Sequence, residues 1–301
     1  MKRFKHPLMI AMWLVVIALF AWFKFTGNDA DAPDATVAAE ASTGTAPTGF
    51  ATPADYNSPG ATTVAGSIEE VGIPGGTPNQ TVSYPGFTVH YNSNLHLPNC
   101  VVYTLTANET RGRAERQEQF EVDENVWGCA EPYEYSGSGY DRGHMAPAGD
   151  FKWSDDAMAS TFKMSNVCPQ NHELNKGAWN DLEIKVREWA RRDRKLVVYT
   201  GPVFNDKKNA ERIGKKSKKK KPRVAVPTTF YKVIYAPDAR PSRAIAFVMP
   251  NKPCGGNLKD YVTSVDEVER LTGIDFLSSL PSDKQQRLQA DSNTAIWFHS
   301  R

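Results

Sequence analysis

The chain has no Cys-x-x-Cys pair, and none of its four cysteines, Cys100, Cys129, Cys168 and Cys254, stands at metal-binding spacing from a histidine. That argues against a structural zinc site. A nucleophilic role for Cys168 would need a paired histidine, and only His172 lies near it in sequence, which disfavours thiol chemistry. Residues 27–80 lack lysine and arginine altogether and consist mainly of Ala, Thr, Pro, Gly, Ser and acidic side chains. Such a segment cannot bury enough apolar surface to offset its ordering entropy, so we read it as a disordered acidic linker. As a flexible coil it would reach roughly 40 Å. A small-x-small cleavage signal is also missing where the first apolar run ends, at Ala21-Trp22-Phe23-Lys24-Phe25, which disfavours a cleaved signal peptide.

That apolar run is the first positive feature. Pro7 to Phe23 is uncharged, rich in Leu, Ile, Val, Trp and Phe, and preceded by Lys2, Arg3 and Lys5. The pattern predicts one transmembrane helix within residues 1–26, with Trp22 at the headgroups and Lys24 snorkelling to extend a short span. The basic flank places the N-terminus in the cytoplasm, so the expected location is the inner membrane, single-pass, with the remaining chain periplasmic. An oxidising compartment would permit two disulfides; of three pairings, Cys100 with Cys129 and Cys168 with Cys254 are preferred.

The net charge of +2 combines +4 in residues 1–26, −7 in 27–80 and therefore +5 in 81–301. A basic third segment suits a polyanionic partner. Within it, Lys215-Lys216-Ser217-Lys218-Lys219-Lys220-Lys221 is either a solvated loop or a site of sequence-independent phosphate attraction.

Chemistry concentrates in three stretches: Tyr140-Asp141-Arg142-Gly143-His144-Met145-Ala146-Pro147, Ser165-Asn166-Val167-Cys168-Pro169-Gln170, and Leu174 to Glu183 with Arg187 beyond. A cation, a glycine and a titratable base within three residues, followed by Asn, Glu and Arg, suit metal-dependent phosphodiester cleavage. Strands are predicted at 87–91, 100–106, 161–164, 196–200, 228–236 and 244–249, and helices at 154–160, 177–192 and 265–271, the last ended by Gly273. The helix over 177–192 is the clearest, since Trp179, Leu182, Val186 and Trp189 form an apolar stripe. Strands and helices without regular alternation argue for an α+β domain over 81–301. On that helix Glu183 and Arg187 share a side, open to an ordinary ion pair or to a functional role, and Asn175 could be an N-cap.

These motifs together resemble the DNA/RNA non-specific endonucleases of the ββα-metal superfamily, which include endonuclease G and the Serratia-type nuclease. The resemblance runs from about Tyr84 to Leu280, taking in Val224 to Val233, Val248 to Asn251 and Ser264 to Glu269. It implies a His-Me finger domain with a central mixed β-sheet and flanking helices, here in a bacterial membrane-anchored member. Carried over, His144 is the general base, Asn175 the direct ligand of one Mg²⁺ (Mn²⁺ can substitute), and Glu183 reaches the ion through water. Arg142, Arg187 and, on a looser match, Arg116 stabilise phosphate charge, while Asp141, Gly143 and Asn166 support the site. Gly143 would let the backbone turn so that Arg142 and His144 both reach the cleft. Phe162 departs from the asparagine of the Serratia-type enzymes and agrees with the endonuclease G branch. The implied activity is sugar-non-specific cleavage of DNA and RNA; a homodimer, as in some relatives, stays open. The alternatives are a nucleic-acid binding or uptake module of low activity, and a phosphodiesterase for a non-nucleic substrate. No base-reading motif is present.

Overall fold

The computed structural model describes residues 67–214 and 223–299. The expected membrane anchor, most of the expected linker and the lysine run lie outside the described residues. Among the described residues no helix is long and apolar enough to cross a membrane.

Seven strands form one sheet in the order β1 (Gln80–Tyr84), β2 (Phe87–Asn92), β3 (Leu97–Thr106), β6 (Lys195–Val203), β9 (Thr229–Ala236), β10 (Arg243–Pro250) and β11 (Val262–Thr263). Every adjacent pair is antiparallel, which corrects the expected mixed sheet. Tight or short links join β1 to β2, β2 to β3 and β9 to β10, and short links of this kind can only join antiparallel neighbours.

Side-chain alternation along the strands divides the core in two. Val101, Tyr103, Leu196, Val198, Phe230, Ile234, Ile245 and Phe247 point to one face, where α2 (Asn180–Asp193) lays down Leu182, Val186 and Trp189. Cys100, Val102, Val197, Tyr199, Tyr231, Val233 and Ala246 point to the other, covered by Val265 and Val268 of α3 (Val265–Thr272) and Leu288 of α4 (Ser282–Ala290). Both faces are covered, which is why the central strands read as unbroken apolar runs. A short α5 (Thr294–Phe298) sets Trp297 edge-on to Trp189, with ring centroids 4.8 Å apart. Gly273 takes φ 77° and ends α3, as predicted.

Three expectations need correction here. Residues 67–79 are not tether: Val71 is buried, Ile68 and Ile73 pack beside it, and Gly72 bridges Asp275, because these hydrophobes cover the α3 face. The stretch 161–164 is not a strand; Phe162 closes α1 (Asp155–Thr161) and a 3₁₀ turn follows over Met164–Asn166. Finally, all four cysteines are free thiols. Cys100 faces the α3 layer and Cys129 the α2 layer, so the sheet separates the first expected pair.

The connection from β3 to β6 holds the residues expected to do the chemistry. It contains a separate antiparallel pair, β4 (Asp141–His144) with β5 (Val167–Gln170), followed by a capped turn at His172–Leu174, a widened π turn at Asn175–Trp179, and α2. Two strands and a helix thus stand in sequence over the α2 face of the sheet. A small ribbon of β7 (Arg212–Ile213) and β8 (Val224–Ala225) lies in the β6 to β9 connection.

Candidate active site

In an extended strand, residues two apart share a face, so β4 presents Arg142 and His144 together without any bend. Gly143 therefore does not act as the expected hinge. It is small because a Cβ there would lie 2.2 Å from Oε1 and 2.6 Å from Cβ of Gln170. The chain beyond His144 is fastened by Asn166, which is fully buried. Its Oδ1 accepts from the Ala146 amide at 2.8 Å, and its Nδ2 donates to the carbonyls of Ala146 and Thr161, both at 2.9 Å. Asn166 supports the site by holding backbone.

Asn175 is not an N-cap; that role falls to Asn171, whose side chain accepts from the amides of Glu173 and Leu174. Asn175 Nδ2 instead donates to Asp141 Oδ2 at 2.9 Å, and His172 Nδ1 lies 2.9 Å from the same oxygen. A carboxylate accepts only, so Asp141 takes the amide nitrogen and leaves Asn175 Oδ1 free to turn elsewhere.

Glu183 and Arg187 do not form the ion pair that their spacing permits. Arg187 Nη1 donates to Asp150 Oδ1 at 2.7 Å, and Asp150 Oδ2 accepts from Tyr103 Oη at 2.8 Å. Asp150 is buried, and burial raises its carboxyl above the usual range, with Arg187 opposing. Gly149 allows the close approach, since a Cβ there would meet Arg187 Nη1 at 2.8 Å. Among the described residues Glu183 has no hydrogen-bond or ion-pair partner. Burial pushes its carboxyl up to about 7, against the pull of Lys232.

One open cleft is lined by Arg116, Arg142, His144, Asn175, Glu183 and Arg187, the six residues expected to do the chemistry, with Lys152 and Lys176 at its edge. The His144 imidazole is buried, which pushes it down to about 3, with Arg116 adding to the effect. Arg142 Nη2 donates to the Pro132 carbonyl at 2.8 Å.

Sequence reasoning missed three contributors. Asp150 stands six residues after His144 with nothing local to mark it. Phe120, within the segment that carries Arg116, packs on the imidazole with ring centroids 5.0 Å apart. Lys232 is fully buried in β9, donates from Nζ to Thr200 Oγ1 at 2.8 Å, and sits 4.7 Å from the centre of the Trp179 ring. Its one available signal was a lysine inside the apolar run Thr229–Ala236.

The donors present suit a hard cation. Asn175 Oδ1 and the Glu183 carboxylate are oxygens with no partner among the described residues, both on the cleft wall. Among the described residues no cluster of three or more His, Cys, Asp or Glu is placed to hold a metal ion, so a cation here would draw on few protein groups.

Residues 64–283 match the family described as DNA/RNA non-specific endonuclease. Nuclease 1, mitochondrial, of Schizosaccharomyces pombe is 36% identical over 235 residues, spanning 73% of this chain and 72% of its own. Endonuclease G, mitochondrial, of Homo sapiens is 34% identical over 225 residues, spanning 71% and 74%. A crystal structure of the EndoG/EndoGI complex aligns with a TM-score of 0.62 at 29% identity, covering 70% of this chain and 89% of that one.

Proposed function

The chain belongs to the DNA/RNA non-specific endonuclease family, and from that premise we propose that it hydrolyses phosphodiester bonds in both DNA and RNA without reading base or sugar. One observation carries this: an imidazole held neutral by burial, two oxygen donors with no partner among the described residues and three guanidinium groups line a single cleft.

In this reading His144 is the general base. Burial keeps it neutral at working pH, so a ring nitrogen is unprotonated and can take a proton from the attacking water as the water oxygen bonds to phosphorus and the bond to the 3′ oxygen breaks; the Arg116 charge that weakens it as a base is offset when an anionic phosphate enters the cleft. Arg142, Arg187 and Arg116 face the negative charge that builds on the phosphate oxygens, where a planar fork of donors fits best. Arg187 is pinned from behind by Asp150, so its position costs little reorganisation when charge develops. Asn175, oriented by Asp141, and Glu183 would hold one divalent cation, Mg²⁺ with Mn²⁺ able to substitute. When bound, that ion supplies Lewis-acid stabilisation of the leaving oxygen. Contacts to phosphate rather than to bases leave sequence unread.

The test is cleavage of plasmid DNA and of RNA by the full chain in detergent, wild type beside His144→Ala, with Mg²⁺ and with EDTA. We expect both substrates to be cut, with metal required and turnover down about 10² to 10⁴-fold in the variant. Intact substrates, or cleavage indifferent to His144, would refute the proposal.

We propose further that Pro7 to Phe23 anchors the protein in the inner membrane with the nuclease domain periplasmic, supported by the uncharged run between Lys5 and Lys24. Carbonate extraction of membranes tests it; release of the protein into the soluble fraction would refute it.

A further inference from the structure

A histidine that serves as a base usually has its second ring nitrogen fixed by an acceptor, which sets the ring's angle and tautomer. Among the described residues His144 has no such partner: Nε2 is buried and unbonded. What surrounds the ring is aromatic. Phe120 lies 5.0 Å from the imidazole centre, Phe162 lies 4.9 Å away and edge-on at 79°, and the two phenylalanines are 5.0 Å from each other. Each also carries a guanidinium on its own ring, Arg116 at 5.0 Å over Phe162 and Arg142 at 5.6 Å over Phe120.

The two rings come from different segments that are stitched together. Phe120 and Arg116 belong to the irregular stretch 112–120, and Phe162 to the end of α1. The Glu121 amide donates to the Phe162 carbonyl at 3.0 Å, and the Met164 amide donates to the Glu121 carbonyl at 2.8 Å. Asn166 then ties Thr161 to Ala146, next to the base. Rotation of the imidazole out of its plane would therefore drive it into rings that the backbone holds in place.

We propose that Phe120 and Phe162 are positioning residues: an aromatic clamp that fixes the His144 ring in place of a hydrogen bond and seats Arg116 and Arg142, so that the base and two phosphate-facing cations are placed as one unit. The proposal rests on the nuclease reading above. The clamp also explains how the ring stays uncharged. It excludes water from the imidazole, and Arg116 from the 112–120 stretch disfavours a second cation; Arg142 of its own strand and Glu183 and Arg187 of α2 line the same cleft.

The experiment uses the full chain with Phe120→Leu and Phe162→Leu, and Phe120→Tyr as the conservative control. Steady-state kinetics on plasmid DNA should show kcat down by about 10 to 100-fold in the leucine variants, the scale of a slightly misplaced catalytic group, with KM little changed. Water entering beside the ring should raise its pKa toward the free value of about 6.5, so that activity declines below about pH 6, where the wild type does not decline for this reason. The His144 ring signals in NMR should likewise stay neutral down to pH 5 in the wild type and titrate in the leucine variants. Phe120→Tyr, which keeps the ring, should restore both kcat and profile. Leucine variants with wild-type kcat and pH profile, beside an inactive His144→Ala, would overturn the clamp and leave the base in place. An active His144→Ala would instead overturn the reading beneath it. Phe120 is half-buried on a surface segment, so its variants decide the matter should Phe162→Leu fail to fold.

Discussion

Replacing Asp150 with alanine is the sharpest test of how the site is supported. Its side chain is fully enclosed, Arg187 is 16% exposed, and they meet at 2.7 Å. Burial alone disfavours the Asp150 carboxylate, so the pair need not outperform a well-packed apolar pair. Removing only the acid is a different matter, because it leaves the Arg187 guanidinium largely out of water with no hydrogen-bonded counter-charge and only the unbonded Glu183 near it. It also strips Tyr103 Oη of its acceptor. Breaking a buried pair from one side costs about 3 to 5 kcal/mol. For a folded body of this size each kcal/mol lowers Tm by about 2 to 4 °C, so a drop of about 6 to 20 °C is expected by scanning calorimetry. In an Arg187→Met background the same Asp150→Ala change should cost much less, since no stranded charge remains. Turnover of Asp150→Ala, measured below its own Tm, should fall about 10 to 100-fold as Arg187 loses its seat. A Tm within about 2 °C of wild type, or equal costs in the two backgrounds, would refute the reasoning, because about 3 kcal/mol cannot hide in so small a shift.

Burial pushes the Lys232 ammonium down to about 8 from 10.5, so its charge disfavours the folded state at pH 7 and is relieved only as pH climbs from 8 toward 10.5. Lys232→Met should therefore be at least as stable as wild type at pH 7 by thermal melts, and should lose that rise in stability, while activity falls because Glu183 loses a positive charge that favours its carboxylate; a wild-type pH dependence of Tm would sink this. With the Glu183 carboxyl raised to about 7, activity at low Mg²⁺ should decline as pH falls through 7, and higher Mg²⁺, competing with the proton, should move that limb to lower pH. Rate profiles at two metal concentrations check it, and superimposable acid limbs would count against Glu183. Gly143→Ala forces a Cβ to within 2.2 Å of Gln170 and should lower stability by about 1 to 3 kcal/mol in urea titrations, with recovery on adding Gln170→Gly, since alanine would keep the Cβ that lies 2.6 Å away; a neutral single variant would show that the strand yields.

The legible parts of this site are the local ones. Helical spacing puts Glu183 and Arg187 on one side of α2, which the residues alone show; that Arg142 and His144 act together was also legible, but through an expected hinge at Gly143 where the structure has the plain alternation of β4. The partners that complete them arrive from afar: Asp150 through a turn after β4, Lys232 from a strand beneath the helix, Phe120 from a loop with no regular period. A single sequence offers no distance information of that kind. The same limit explains the cysteines, where an even count in a chain expected to be exported suggested bridges and the sheet placed Cys100 and Cys129 on opposite faces. Asn175 was read as cap or ligand, and the fold removes the cap, since Asn171 holds that place and Asn175 bonds Asp141 instead. The boundary near residue 67 was missed because Ile68, Val71 and Ile73 are too few to stand out in a segment of Gly, Pro and Thr.

Those unbridged cysteines have a consequence for whatever cell makes the protein. Burial pushes the thiols of Cys100 and Cys129 up to about 12 and raises that of Cys168 as well, so they are poor nucleophiles as well as unpaired. Nothing in the packing of the body waits for an oxidant. A secreted enzyme stapled by disulfides is harmless until it leaves the reducing cytosol, and oxidation then serves as its safety catch. On the proposed export and nuclease activity, the described body has no such catch: a molecule delayed on its way out would mature beside the chromosome of its own producer.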